Sequence, residues 1–260
     1  NFCFWMNHTG AVVDGFTVTG GCTPWAGAGM YIDYGLVDHC VVVGNMARDG
    51  GGVYMDGGTL RNTLVAGNTA LDIGGGLYVD DGEVVNCTVV SNTAGIGAGG
   101  ARLAWGDIRN SVIYFNQAPD DENISAEEWV AVTFSCTRPL QEGIGNTDAE
   151  PGFVGAAAGN YRLLPGSPCL NSGTNEDWMA AALDLDGRAR VEYVTVDMGA
   201  YEFSTNALQC NCFATPLDGF TPMQVVFDAV VSWTGSTANL YYGWDFDNDG
   251  TLDTNKLNLA

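Results

Sequence analysis

The chain has 260 residues, 46% of them hydrophobic, with 31 acidic against 9 basic side chains and a formal net charge of −22. That balance excludes nucleic acid as a partner and disfavours polyanionic polysaccharides unless bound cations invert the local field. The hydrophobic content is ample for a core, and no apolar run approaches the roughly 18 residues a membrane-spanning helix needs, so a disordered chain and a membrane span are both excluded.

The chain opens at Asn1 without a charged segment and apolar stretch, so any signal peptide is expected to have been removed or to lie outside it. Eight cysteines and three Asn-x-Ser/Thr sequons, at Asn7, Asn86 and Asn123, point to an exported, extracellular or cell-surface protein. Of the three, Asn7 and Asn123 are the candidate glycan acceptors, because Asn86 falls in the repeat described next.

From residue 13 onward a rung pattern recurs. The segments "VDGFTVTGG", "VDHCVVVGN", "LRNTLVAGN", "VVNCTVVSN" and "IRNSVIYFN" align without gaps, and their closing Asn45, Asn68, Asn92 and Asn116 are 23, 24 and 24 residues apart. Two columns are wholly apolar: Val13, Val37, Leu60, Val84, Ile108, and Val18, Val42, Val65, Val89, Ile113. A second short strand follows each marker after a Gly-rich bend, as in "GMYI", "GVYM" and "GLYV", and its alternation sets Met30 and Ile32, Val53 and Met55, Leu77 and Val79 on one face. β-Branched residues and regular glycines exclude a helix, and a fixed period with chemically constant columns excludes an up-and-down barrel. What remains is a coil of short parallel strands rising by roughly 4.8 Å per turn, so that equivalent side chains stack. Asn62, Asn86 and Asn110 form one such stack, in which the amides are expected to bond along the axis and keep Asn86 from a glycan.

These residues resemble the right-handed parallel β-helix repeats of the pectate-lyase-like superfamily, over residues 2–116. The following stretch, "GIGNTDAEPGFVGAAAGNYRLLPGSPCLNSG" with "DLDGRARVEYVTVDMGAYEF", is similar to the C-terminal region of secreted bacterial β-helix proteins of the choice-of-anchor Q kind. The resemblance implies a cap on the helix, built around Asp186, Gly187, Arg190, Asp197, Gly199, Ala200, Tyr201 and Glu202; Arg190 is placed to pair with one of those carboxylates. From residue 213, "FATPLDGFTPMQVVFDAVVSWTG" and "LYYGWDFDNDGTLDT" resemble the first half of a PKD domain, an Ig-like sandwich. The fold class read from the sequence is therefore all-β: a right-handed parallel β-helix (1–128), its last rung and a capping region (129–206), and a partial Ig-like β-sandwich (207–260).

Several groups could carry chemistry. Asp245, Asp247, Asp249 and Asp253 alternate around Gly250, a spacing that can converge oxygens on Ca²⁺, although Lys256 stands where an EF-hand has its Glu. A column of Asp33, Asp56 and Asp80 lies two residues beyond a column of Tyr31, Tyr54 and Tyr78, which Arg102 continues. The resembled lyases hold calcium on stacked acids beside a basic residue; the alternative is carboxylates splayed into water. The tyrosines could stack on sugars or on one another. Asp80-Asp81 is the pairing of the superfamily's hydrolase branch, but its other motifs are missing. His8 and His39 lack a nucleophile motif and read as structural. Cys40 and Cys87 share a column two turns apart, roughly 9 to 10 Å and beyond disulfide reach, so they are expected to be buried thiols. Cys136 and Cys169 are the expected bridge, pinning the cap to the final turn; Cys3 with Cys22 is a second pairing, and Cys210 and Cys212 lie at the domain junction.

The sequence thus points to a structural or adhesive surface protein that assembles with identical subunits head to tail into fibres, because a β-helix end left open templates further strands and half an Ig-like sandwich needs strands from elsewhere. The alternative is a polysaccharide lyase or hydrolase working along the helix groove, with carbohydrate as partner.

Overall fold

A computed structural model describes residues 3–204 and, beyond them, the backbone of four strands. The chain divides into two compact units, Asn1–Phe203 and Ser204–Ala260.

The first unit is a parallel β-solenoid of six rungs, each contributing one short strand to each of three sheets. Sheet A stacks Phe4–Met6, Met30–Ile32, Val53–Met55, Leu77–Val79, Ala101–Leu103 and Ile124–Ala126 in that order. Sheet B runs from Val12–Asp14 to Ala131–Thr133, and sheet C from Thr17–Thr19 to Cys136–Thr137, all in parallel register. The two apolar columns of the sequence are the central residues of sheets B and C: Val37, Leu60, Val84 and Ile108 in one, and Val42, Val65, Val89 and Ile113 in the other, are fully buried. Met30, Ile32, Val53, Met55, Leu77 and Val79 fill the interior from sheet A. A three-residue strand points either its centre inward, as in sheets B and C, or its two flanking residues, as in sheet A.

Corners carry the left-handed residues. His39, Asn62, Asn86, Asn110 and Phe134 hold φ between 47° and 52° at the turn from sheet B to sheet C. Asn is among the few residues with a side chain that tolerate this region, which is the first reason it recurs there. The expectation of a continuous amide ladder in this column is corrected: Asn110 reaches Asn86 at 3.4 Å, but Asn62 donates to Asp38 and Asn86 to the Asp197 carbonyl. The uninterrupted ladder belongs to the closing asparagines. Asn45 Nδ2 donates to Asn68 Oδ1, Asn68 to Asn92, and Asn92 to Asn116, each at 3.0 Å, and Asn116 to Asn123 at 3.2 Å.

Within the last rung and capping region expected over 129–206, residues 150–203 run along the flank of the solenoid as a brace. They add a second core on the outer face of sheet C, where Leu64, Ala66, Val90, Val112 and Tyr114 meet Phe153, Tyr161, Leu163, Met198, Ala200 and Tyr201. This outward burial is why the Leu64–Ala66, Thr88–Val90 and Val112–Tyr114 strands are buried at every position, not alternately. Closure of the last rung falls to residues 143–147. Phe134 N–H donates to Ile144 O, Thr137 N–H to Thr147 O, and Asn146 Nδ2 to Val132 O.

In the second unit, Gln209–Thr215 pairs antiparallel with Val226–Ser232, and Tyr241–Trp244 with Thr254–Leu257. Asp245, Asp247, Asp249 and Asp253 lie outside the described residues.

Candidate functional site

Sheet A presents the strip from which a lyase site would be built. Strand register stacks Trp5, Tyr31, Tyr54, Tyr78, Arg102 and Ser125 in one outward column. Tyr31 and Tyr54 stack with centroids 5.0 Å apart, and Tyr54 and Tyr78 at 4.9 Å. The rings therefore spend their faces on one another, as the strand spacing dictates.

The acids beside them are engaged in a diagonal pattern. Trp5 Nε1 donates to Asp33 at 2.9 Å and Tyr31 Oη to Asp56 at 2.6 Å, each reaching the acid of the next rung. Arg102 continues the pattern toward Glu127 and also donates to the Leu103 and Ser125 carbonyls. Burial pushes the Tyr31 phenol well above its ordinary range, and its bond to Asp56 adds to that; Tyr54 rises by burial and by the charges of Asp80 and Asp56. Among the described residues no group of three or more His, Cys, Asp or Glu side chains is arranged to hold a metal ion.

Along the flank the solenoid meets the brace through polar groups from successive rungs. Asn110 accepts from Thr174 N–H at 2.8 Å and donates to Thr174 O at 2.9 Å; Thr88 Oγ1 accepts from Ala200 N–H at 3.0 Å. Arg109 Nε donates to Glu176 at 2.5 Å, and Arg61 pairs with Asp38 at 2.6 Å while lying 4.3 Å over the Trp178 ring. His39 bridges three elements: Nδ1 lies 3.0 Å from Asp14 and 3.3 Å from Asp38, and Nε2 lies 2.8 Å from the Leu183 carbonyl. His8 accepts from Gly10 N–H through Nδ1. Arg190 pairs with Glu202, whereas Asp186 takes Arg162. The shared column of Cys40, Thr63, Cys87, Ser111 and Ser135 was only half legible in the sequence: each side chain donates to the carbonyl two residues back.

The remaining candidates are placed as follows. Asn7 is exposed. Asn123, the other candidate acceptor, is 4% exposed, ends the amide ladder and donates to Arg138 O. Cys40 and Cys87 are buried free thiols, and burial pushes the Cys87 thiol up to about 12. Cys136 and Cys169, the expected bridge, are brought together in the second core, and the hydrogen bond between them, with burial, raises the Cys136 pKa. Cys3 and Cys22 are exposed.

No family model, no curated protein and no solved structure matches the chain, so the functional reading rests on this geometry.

Proposed function

We propose that the protein is a structural or adhesive component of an extracellular or cell-surface layer, a β-helix rod of the resembled superfamily that assembles with copies of itself. The observation that carries this reading is the Asn45–Asn123 ladder, which ties consecutive rungs together through buried amides and commits the repeat to lengthwise order. The groups a lyase would need are committed too: Arg102 is held by Glu127 and two carbonyls, and Asp33 and Asp56 by Trp5 and Tyr31. Calcium at Asp245, Asp247, Asp249 and Asp253 and a glycan at Asn7 are part of the proposal.

A head-to-tail contact between identical rods is heterologous and does not close on itself, so repeated association makes a fibre.

The test is sedimentation with electron microscopy over a range of protein concentrations, beside an assay of turnover on a polysaccharide panel with and without calcium. Fibres whose length grows with protein concentration are the expected result. Turnover abolished by Arg102→Ala, or a strictly monomeric particle at high concentration, rejects the reading.

A further inference from the structure

Arg190 crosses from the brace to the solenoid wall fully buried, its Nη1 donating to Asn62 Oδ1 at 3.3 Å. Three carboxylates surround it, all nearly inaccessible: Asp184 at 1%, Asp197 at 2% and Glu202 at 3% exposure. They are held as anions to different degrees. Asp184 accepts three backbone N–H groups, from Asp186, Arg188 and Glu202, at 3.0, 2.7 and 2.7 Å. Asp197 accepts two, from Asn171 and Phe203, at 2.6 and 2.7 Å. Glu202 has one N–H donor, Asp197, at 2.6 Å, and a slack contact with Arg190 Nη2 at 3.3 and 3.4 Å. A well-formed guanidinium–carboxylate pair closes to about 2.8 Å. Among the described residues Arg190 Nε has no hydrogen-bond partner.

We propose that this cluster is a pH-operated fastening: Glu202 is neutral while the brace is docked, and its ionisation loosens the brace from the flank of the solenoid. One guanidinium cannot neutralise three buried carboxylates, and the carboxylate with the fewest donors is the one that takes the proton. Burial pushes Glu202 up to about 8, with the charges of Asp197 and Asp184 adding to it and Arg190 opposing. Burial also raises Asp184 and Asp197, against their backbone donors. On the solenoid side the cluster faces the neutral Asn62 amide and the Cys87 thiol, which senses the Arg190 charge. The sign follows from these groups. The docked state binds the Glu202 proton more tightly than the open one, so the fastening is complete below the ordinary carboxylate range. It weakens as pH rises through neutrality, and nothing more is lost above about 8. Release would uncover the apolar outer face of sheet C at Leu64, Ala66, Val90 and Val112.

The test is hydrogen exchange on the full chain between pH 5 and 9, corrected for intrinsic rates. The reporter amides are Gly199 and Ala200, which donate across the seam to Asn110 O and Thr88 Oγ1. Their protection is expected to fall by up to about tenfold per pH unit from pH 5 to 8 and then level off, while amides inside the solenoid keep theirs. Glu202→Gln, a neutral mimic of the docked state, is expected to keep the brace protected at every pH. Flat protection in the unmodified chain overturns the proposal. So does a pH slope that survives in Glu202→Gln, which would assign it to another group such as His39 at Leu183. A Glu202→Gln brace that is open at all pH values, or a variant that does not fold, also overturns it, because the ionised pair would then be what holds the seam.

Discussion

Asn92 Oδ1 accepts twice from Asn68, from the side-chain amide at 3.0 Å and from the backbone N–H at 2.9 Å. One oxygen thus satisfies two buried donors of the rung before it, while Asn92 Nδ2 donates to Val65 O at 3.0 Å. Asn92→Leu strands the Asn68 backbone N–H and leaves its side-chain amide only the Val42 and Ala66 carbonyls, and is expected to destabilise the solenoid by about 2 kcal/mol. Urea unfolding followed by far-ultraviolet circular dichroism measures it; an unchanged midpoint would remove the ladder from the account of stability.

Gly75 and Gly67 separate two uses of glycine in one repeat. A Cβ on Gly75 would sit 2.4 Å from Gly99 O and 2.5 Å from Thr93 O, so adjacent rungs approach through its missing side chain. Gly67 has φ of 62° and open space around it. Gly67→Ala is expected to cost only backbone strain, about 1 to 2 kcal/mol. Gly75→Ala must displace backbone and is expected to cost about 3 kcal/mol or more. Thermal unfolding of the two variants side by side is the measurement, and equal losses would contradict the assignment.

Cys136 and Cys169, both fully buried, are expected to form a disulfide when the protein is produced by an oxidising export route. Closing the intervening loop of some 30 residues constrains the unfolded chain by roughly 3 to 4 kcal/mol. A non-reducing peptide map should contain the joined peptide, and a reductant should lower the melting temperature. Two thiols that both label after denaturation of the exported protein would show that they stay reduced.

Glycan occupancy follows burial. Made in a glycosylating secretory host, the folded fraction is expected to carry a glycan on exposed Asn7 and none on Asn86 or Asn123, which are 0% and 4% exposed. Peptide mass mapping decides it, and a folded species modified at Asn123 would mean that the ladder ends at Asn116.

If the four aspartates from 245 to 253 bind calcium, chelation should lower the melting temperature of the second unit and leave the solenoid transition in place. Scanning calorimetry with and without chelator separates the two transitions. A second-unit transition that ignores calcium would leave the Asp-x-Asp spacing as turn chemistry.

Much of the solenoid was legible because a rung repeats its chemistry at a fixed period. Val37, Leu60, Val84 and Ile108 share one environment, and four copies of an apolar choice identify an inward column without any coordinates. The tyrosine stack followed from the same logic, since strand spacing alone brings Tyr31, Tyr54 and Tyr78 into contact. The period could not say which polar column bonds along the axis. Asn62, Asn86 and Asn110 recur as faithfully as Asn68, Asn92 and Asn116, but the first set sits in a left-handed corner whose amides turn toward the brace.

By itself, then, the sequence determined a coil of short parallel strands, its register and its inner columns, because each of these depends on neighbours one period away along the chain. Only the tertiary structure decided that residues 150–203 lie along the flank, that the middle strands of sheet C serve two cores, and that Arg190 meets Asn62 and Glu202. Those contacts join residues as much as 128 positions apart, and no local pattern encodes them. They arise because the outer face of sheet C and the apolar side of the brace each need a surface to bury against.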